Sequence, residues 1–151
     1  MKKQPLILTL ALLLVTLPFV QADNHGGGHD EHHHSELEDQ MSAMNKAWRS
    51  IRRQIKDPAK NKSTLALVAK VKTAAQKSVK MTPMLAEEQK GAAREKFIAN
   101  YSKAMKRTVG LIGELEKALK AGDNAGAEAL VGKLNDARKK GHENFKPEDE
   151  D

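Results

Sequence analysis

Between Ser35 and Ile55 the apolar residues Leu37, Met41, Met44, Trp48, Ile51 and Ile55 recur at intervals of 4, 3, 4, 3 and 4. Residues three and four apart lie above one another on a helix, so all six share one face. A strand would need alternation with period two; this segment is committed to α structure with a single stripe to bury. Its start is written as well. Ser35-Glu-Leu-Glu38 is a capping box, in which the serine hydroxyl accepts from the backbone three residues on and the glutamate reaches back. One amphipathic helix cannot cover its own stripe, so the rest of the chain must supply partners.

The partners follow in order. Helix one runs from Ser35 to about Lys56, and Asp57-Pro58-Ala-Lys-Asn-Lys62 breaks it. Ser63 or Thr64 caps a second helix to about Lys80, with Leu65, Val68, Val71, Ala75 and Val79 on its apolar face. Met81-Thr-Pro83-Met84 is the next break, since proline cannot continue a helix and restricts the residue before it. A third helix is expected from about Ala86 to Lys120, where Phe97, Tyr101, Met105, Thr108, Ile112, Leu115 and Leu119 repeat at heptad spacing. Gly110 and Gly113 interrupt it, each at a cost of about 1 kcal/mol relative to alanine. They mark places for close helix approach or a local kink. Ala121-Gly-Asp-Asn124 stops that helix and caps the next, with Gly122 at C′. The fourth helix runs from about Ala125 to Phe145, with Ala127, Leu130, Leu134, Ala137 and His142 along its inward side. There is no alternating β-branched run and no Asn-Gly hairpin. Four helices with short breaks predict an all-α, antiparallel up-down-up-down four-helix bundle over residues 35–146.

The flanks lie outside that fold. Residues 1–22 read as a secretory signal peptide: Lys2-Lys3, a mostly apolar Pro5 to Val20, and small residues in Val20-Gln21-Ala22 for cleavage near Ala22. The run is short and broken by Pro18, and nothing later is apolar enough to span a bilayer, so no stable membrane insertion is expected after cleavage. Cleavage lowers the formal charge from +6 to +4. That modest charge, on an exported chain, argues against a nucleic-acid partner. The chain has no cysteine, which excludes disulfides, thioether-linked haem and thiolate zinc. Residues 23–34, DNHGGGHDEHHH, have nothing apolar to bury and read as a flexible tail, and residues 147–151 form an acidic one.

In the expected topology the start of helix one and the end of helix four share one end of the bundle. Met41 lies about 9 Å along the axis from Ser35, and His142 about 5 Å from Phe145, so the two stand at similar depth and face inward. His142 is the only histidine of the bundle; His25, His29, His32, His33 and His34 are in the tail. A thioether and an imidazole on opposite sides of a planar cofactor describe a six-coordinate haem iron with a raised potential and no open coordination position. That suits outer-sphere electron transfer and no catalysis; no nucleophile–base pair, paired carboxylates or phosphate loop is present. Arg138, one turn before His142, is placed to pair with a haem propionate, Lys146 with another, and Phe145 to cover a ring edge.

Leu37-Glu-Asp-Gln-Met41, Leu134-Asn-Asp-Ala-Arg138-Lys-Lys-Gly-His142-Glu-Asn-Phe145 and, more weakly, Gly113-Glu-Leu-Glu-Lys-Ala-Leu-Lys120 carry a resemblance to the cytochrome b562 family of periplasmic haem-b four-helix bundles. The resemblance spans about Glu36 to Lys146. It implies one non-covalent haem b per chain, with the family's methionine ligand at Met41, its histidine ligand at His142 and its arginine at Arg138. It also implies redox proteins as partners, a periplasmic location, and a monomer or weak oligomer. The family's paired helix-three phenylalanines are matched only loosely, by Phe97 and Tyr101, and the loop at Gly122 is shorter.

The tail supports a different expectation. A mature chain beginning Asp23-Asn24-His25 offers an α-amine, two backbone amides and an imidazole, a square-planar four-nitrogen set that suits Cu(II) or Ni(II). The other tail histidines add capacity for Cu, Ni or Zn. The alternative function is therefore a haem-free periplasmic bundle that binds or buffers these metals, and a third is a chaperone-like helical protein without a cofactor. Trp48 to Lys56 is a basic amphipathic segment: the solvated face of helix one, or a contact for an acidic partner or a membrane surface.

Overall fold

The computed structural model describes residues 35–147. The expected signal peptide, the histidine-rich stretch and the acidic residues 148–151 fall outside them. Four α-helices account for most of the described chain: α1 (Glu36–Gln54), α2 (Asn61–Ser78), α3 (Gly91–Lys120) and α4 (Asn124–Phe145). Short 3-10 turns at Pro58–Lys60 and Met84–Ala86 interrupt the first two connections, and no strand occurs among the described residues.

The capping box forms as written. The Ser35 amide donates to Glu38 Oε2 at 2.7 Å and the Glu38 amide to Ser35 Oγ at 3.2 Å. Glu36, Glu38 and Asp39 crowd the first turn and Arg52 and Arg53 the last, each complementing the helix dipole. Ile51 and Ile55 are fully buried, and Trp48 nearly so.

The start of α2 differs from expectation. Neither Ser63 nor Thr64 caps it; the helix begins at Asn61 after Lys60, which makes no side-chain cap. Asp57 instead caps the preceding 3-10 turn, accepting from the Ala59 amide at 3.0 Å. That turn draws the chain into helical geometry early. Thr64, wholly buried, turns back to donate to the Lys60 carbonyl at 2.9 Å and to Gln54 Oε1 at 3.2 Å. A hydroxyl one turn inside a helix satisfies itself in this way.

The third helix also starts later than its hydrophobic pattern implies, at Gly91 and not near Ala86. Pro83 and Ala86 are buried, which pins the connection against the helices. The backbone then leaves helical geometry at Lys90 (φ −128°, ψ 149°), and Gly91 takes φ +53°, a value open to glycine. The expected role of Gly110 and Gly113 in close approach is not borne out. A Cβ at either would meet nothing within 4 Å, and the helix runs unbroken through both. Gly122 does sit in the left-handed region (φ +72°), as a C′ glycine should. Asp123 then caps α4 by accepting from the Gly126 amide at 2.8 Å.

Each helix packs closely on its successor in sequence. The contacts between α1 and α4 run through long side chains. Trp48 Nε1 donates to Asn135 Oδ1 at 3.0 Å, Asn124 Nδ2 to the Ile55 carbonyl at 3.0 Å, and Lys56 pairs with Glu128 at 2.9 Å. Asn61 and Asn124 exchange a pair of amide hydrogen bonds at 3.0 and 2.9 Å, tying the start of α2 to the start of α4. Burial is uneven along the molecule. Ile51, Ile55, Val68, Ile112, Leu115, Leu119 and Ala127 are almost wholly enclosed, whereas Leu37, Met41, Met44 and Phe145 pack on the same core while only half-buried.

Candidate functional site

The Trp48–Asn135 hydrogen bond fixes the local register of α1 against α4. Met41 is seven residues before Trp48, and His142 seven residues after Asn135. Seven residues make nearly two turns, about 10 Å of rise, and return a side chain to within about 20° of the same face. Further along, Asn124 meets Ile55, so residue numbers in α4 fall as those in α1 climb. Counting from the Trp48–Asn135 bond in that sense carries Met41 and His142 to about the same level along the two helices.

Their surroundings differ. Met41 is half-buried against the core, as its place in the stripe predicts. His142 is exposed, which corrects the expectation that it faces inward. The reason lies in how the last turns of α4 are held. Phe145 packs edge-to-face on two aromatic rings of α3, Phe97 at 5.4 Å and Tyr101 at 5.5 Å between centroids, while Trp48–Asn135 ties α4 to α1 two turns below His142. The final turn is thus anchored toward α3, with His142 on its solvent-exposed side. The His142 carbonyl accepts from the Lys146 amide at 3.1 Å, closing the helix end.

Arg138 and Lys146 are exposed at this end, which puts positive charge beside His142. Phe97, Tyr101 and Phe145 form the aromatic wall. Tyr101 is 3 % exposed, yet its hydroxyl has no hydrogen-bond partner, and burial pushes its pKa up to about 12. Two of these features are invisible to pattern reading. Asn135 looks like any polar helix residue until its partner, 87 positions away, is known. Tyr101 reads as an ordinary heptad position, and only its enclosure reveals the unpaired hydroxyl. Among the described residues, no group of three or more His, Cys, Asp or Glu could hold a metal ion; the tail histidines His25, His29, His32, His33 and His34 lie outside the described residues.

A family model for cytochrome b562 matches residues 36–146, from the first residue of α1 to just past the last of α4. The chain belongs to the cytochrome b562 family. Searches of curated proteins and of solved structures gave no match. The cytochrome b562 match covers all four helices, and with them Met41, Arg138, His142 and Phe145. Membership points to a haem-binding, electron-carrying helical bundle of the periplasm, and no described helix is long and apolar enough to cross a membrane. The residues at the half-buried end suit a haem. They offer one soft and one imidazole donor, an apolar and aromatic wall not fully enclosed by protein, and exposed cations at its rim. The unpartnered Tyr101 hydroxyl gives the wall one polar atom still able to donate or accept.

Proposed function

We propose that this protein is a periplasmic b-type cytochrome. In this reading it is an antiparallel up-down-up-down bundle that holds one non-covalent haem b between Met41 and His142 and passes single electrons between redox proteins. The observation that carries the reading is the register of α1 on α4: the Trp48–Asn135 bond, counted seven residues outward on each helix, arrives at a thioether and an imidazole. An exposed imidazole and a half-buried thioether are donors within reach of a group entering from solvent. When bound, the haem iron supplies a one-electron Fe(III)/Fe(II) couple.

The chain supplies everything else. Met41, a soft and weakly donating ligand, favours the reduced metal and so raises the potential. His142 would supply the second protein ligand, and with both ligands held by the chain the chemistry would be confined to electron transfer. Arg138 pairs with a propionate as a planar, permanently charged donor, and Lys146 serves the second. Phe145, backed by Phe97 and Tyr101, covers a ring edge and keeps water from it. Cleavage near Ala22 delivers the chain to the periplasm.

The test is an optical spectrum of the purified protein titrated with haem, oxidised and reduced, beside His142→Ala and Met41→Leu. The parent should take up one haem per chain and show the sharp reduced bands of a six-coordinate low-spin iron. His142→Ala should lose the low-spin spectrum while retaining its helical circular dichroism, and Met41→Leu should turn high-spin. Undiminished low-spin binding by either variant would remove that residue from the ligand set. N-terminal sequencing of the exported protein checks Asp23 as the first residue.

A further inference from the structure

Charge is distributed very unevenly over this fold. Residues 40–86, which hold most of α1 and all of α2, contain eleven lysines and arginines and a single acid, Asp57. Few of these cations are neutralised: Lys56 pairs with Glu128, Lys60 with Asp57 and Lys72 with Glu116. Lys46, Arg49, Arg52 and Lys70 are exposed and make no salt bridge among the described residues.

A groove runs along the outer face of the α1–α2 pair. Ala43, Ala47 and Ala74 line it beside the half-buried Leu67, and Lys46 and Lys70 stand at its edges. Small side chains in the lining let another backbone come close; the flanking cations select what that backbone carries. Arg49 and Arg53 continue the positive edge along α1. Gln40, at one end of the groove, is the neighbour of Met41.

We infer that this groove docks an acidic redox protein, which lays a helix with small apolar residues between glutamates or aspartates along the α1–α2 face. The electron-transfer reading supplies the partner's purpose; the docking rests on shape and charge alone. A helix seated there lies directly behind Met41, so the electron path crosses only the thickness of α1. The same surface suits a membrane poorly. An interfacial helix buries Trp, Phe or Leu among lipids, but Trp48 is 7 % exposed and turned to the core, and Met84, the one exposed large apolar residue described, is not among the groove residues. Steering by opposite charge also gives fast, salt-sensitive encounters of the kind an electron carrier needs.

The experiment is an NMR titration of the ¹⁵N-labelled, haem-loaded protein with a synthetic helical peptide bearing a Leu/Ala stripe flanked by glutamates. It is repeated with phosphatidylglycerol vesicles. Shifts should concentrate on Ala43, Ala47, Leu67 and Ala74. Affinity should fall steeply with added salt and drop about tenfold or more in Lys46→Glu/Lys70→Glu, while the control Lys103→Glu/Lys106→Glu on α3 should bind like the parent. Shifts spread evenly over the surface, or equal weakening by the control, would reduce the effect to net charge and overturn the groove. Vesicle binding without peptide binding would make the face a membrane surface and overturn the protein partner. The haem bands of the same samples report the cofactor separately, and apo protein should bind the peptide equally well. A failed haem site and a failed docking face therefore give different results.

Discussion

Tyr101 carries the one buried side-chain polar atom among the described residues that lacks a hydrogen-bond partner. Burial disfavours its ionised form, so the folded pKa stands at about 12 against an ordinary 10.0. A group whose folded pKa is raised contributes stability below its unfolded pKa and loses it as pH climbs to the folded one. The loss here falls between about pH 10 and 12, and two pKa units correspond to at most about 2–3 kcal/mol. Tyr101 is the only tyrosine in the chain, so tyrosinate absorbance reports it alone. The folded apo protein should titrate near pH 12 and the urea-unfolded chain near 10; a folded midpoint at 10 would mean that the ring is not enclosed. Tyr101→Phe should flatten the alkaline limb of urea midpoint against pH. At neutral pH it should leave stability unchanged or raise it by about 1 kcal/mol, because an unpaired buried hydroxyl is removed. Glu116 is the acidic counterpart. Hydrogen bonds from Lys120, one turn on, and from Lys72 of α2 at 2.7 Å hold its carboxyl down at about 2 against an ordinary 4.5. A depressed pKa works in the opposite sense, and its stabilisation disappears as pH falls from about 4.5 toward 2. Glu116→Gln should therefore flatten the acid limb of the same curve, and Lys72→Met should flatten it in part, since Lys120 remains.

Among the elements, two kinds of helical glycine separate cleanly. Gly110 and Gly113 have open space where a Cβ would go, so alanine at either should raise stability by about 0.5–1 kcal/mol through helix propensity and a less flexible unfolded chain. A Cβ at Gly126 would collide with the Asp123 carboxylate, whose Oδ1 caps α4. Gly126→Ala should thus cost about 1 kcal/mol despite the better helix former, because the cap must be displaced. Urea denaturation of the three variants checks both signs, and a stabilising Gly126→Ala would show that the cap contributes little. The contrast shows what a sequence conveys at this scale. The capping box at Ser35 and the stripe from Leu37 to Ile55 are legible because both are local, settled within one or two turns. Gly122 is legible for the same reason. The true starts of α2 and α3 are not. Lys60 and Lys90 give no capping signal, and the positions are set by a 3-10 turn at Pro58 and by the burial of Pro83 and Ala86. Asn124 is less legible still: it reads as part of a helix cap, yet its side chain donates to the Ile55 carbonyl 69 residues earlier and pairs with Asn61. The candidate site falls between these cases. Met41 and His142 follow from helix counting and family flanks, Phe145 from its place beside them, whereas the exposure of His142 and the register set by Trp48 and Asn135 depend on how α4 is pulled between α1 and α3.

For the whole molecule, the decisive property is that the two ends differ in enclosure. Around Ile51, Ile55, Ile112, Leu115, Leu119 and Ala127 the core is closed, and the Asn61–Asn124 pair and the Lys56–Glu128 bridge tie three helices together there. Around Leu37, Met41 and Phe145 the apolar side chains are only half-covered. Local opening free energy follows local burial, so the apo protein should open at this end well below the cost of global unfolding. A haem bound there stabilises the folded state by mass action and closes that difference, since it binds the native arrangement and not the unfolded chain. Hydrogen exchange measures this directly. Without haem, amides of residues 38–44 and 138–145 should exchange through low-energy openings, while those near Ile51, Leu115 and Leu119 should exchange only on global unfolding. With haem, protection in the first two segments should rise most, toward the global value. Uniform protection in the apo protein would mean that the unevenness of burial has no energetic counterpart. A haem-induced rise confined to the closed end would place the cofactor away from Met41 and His142.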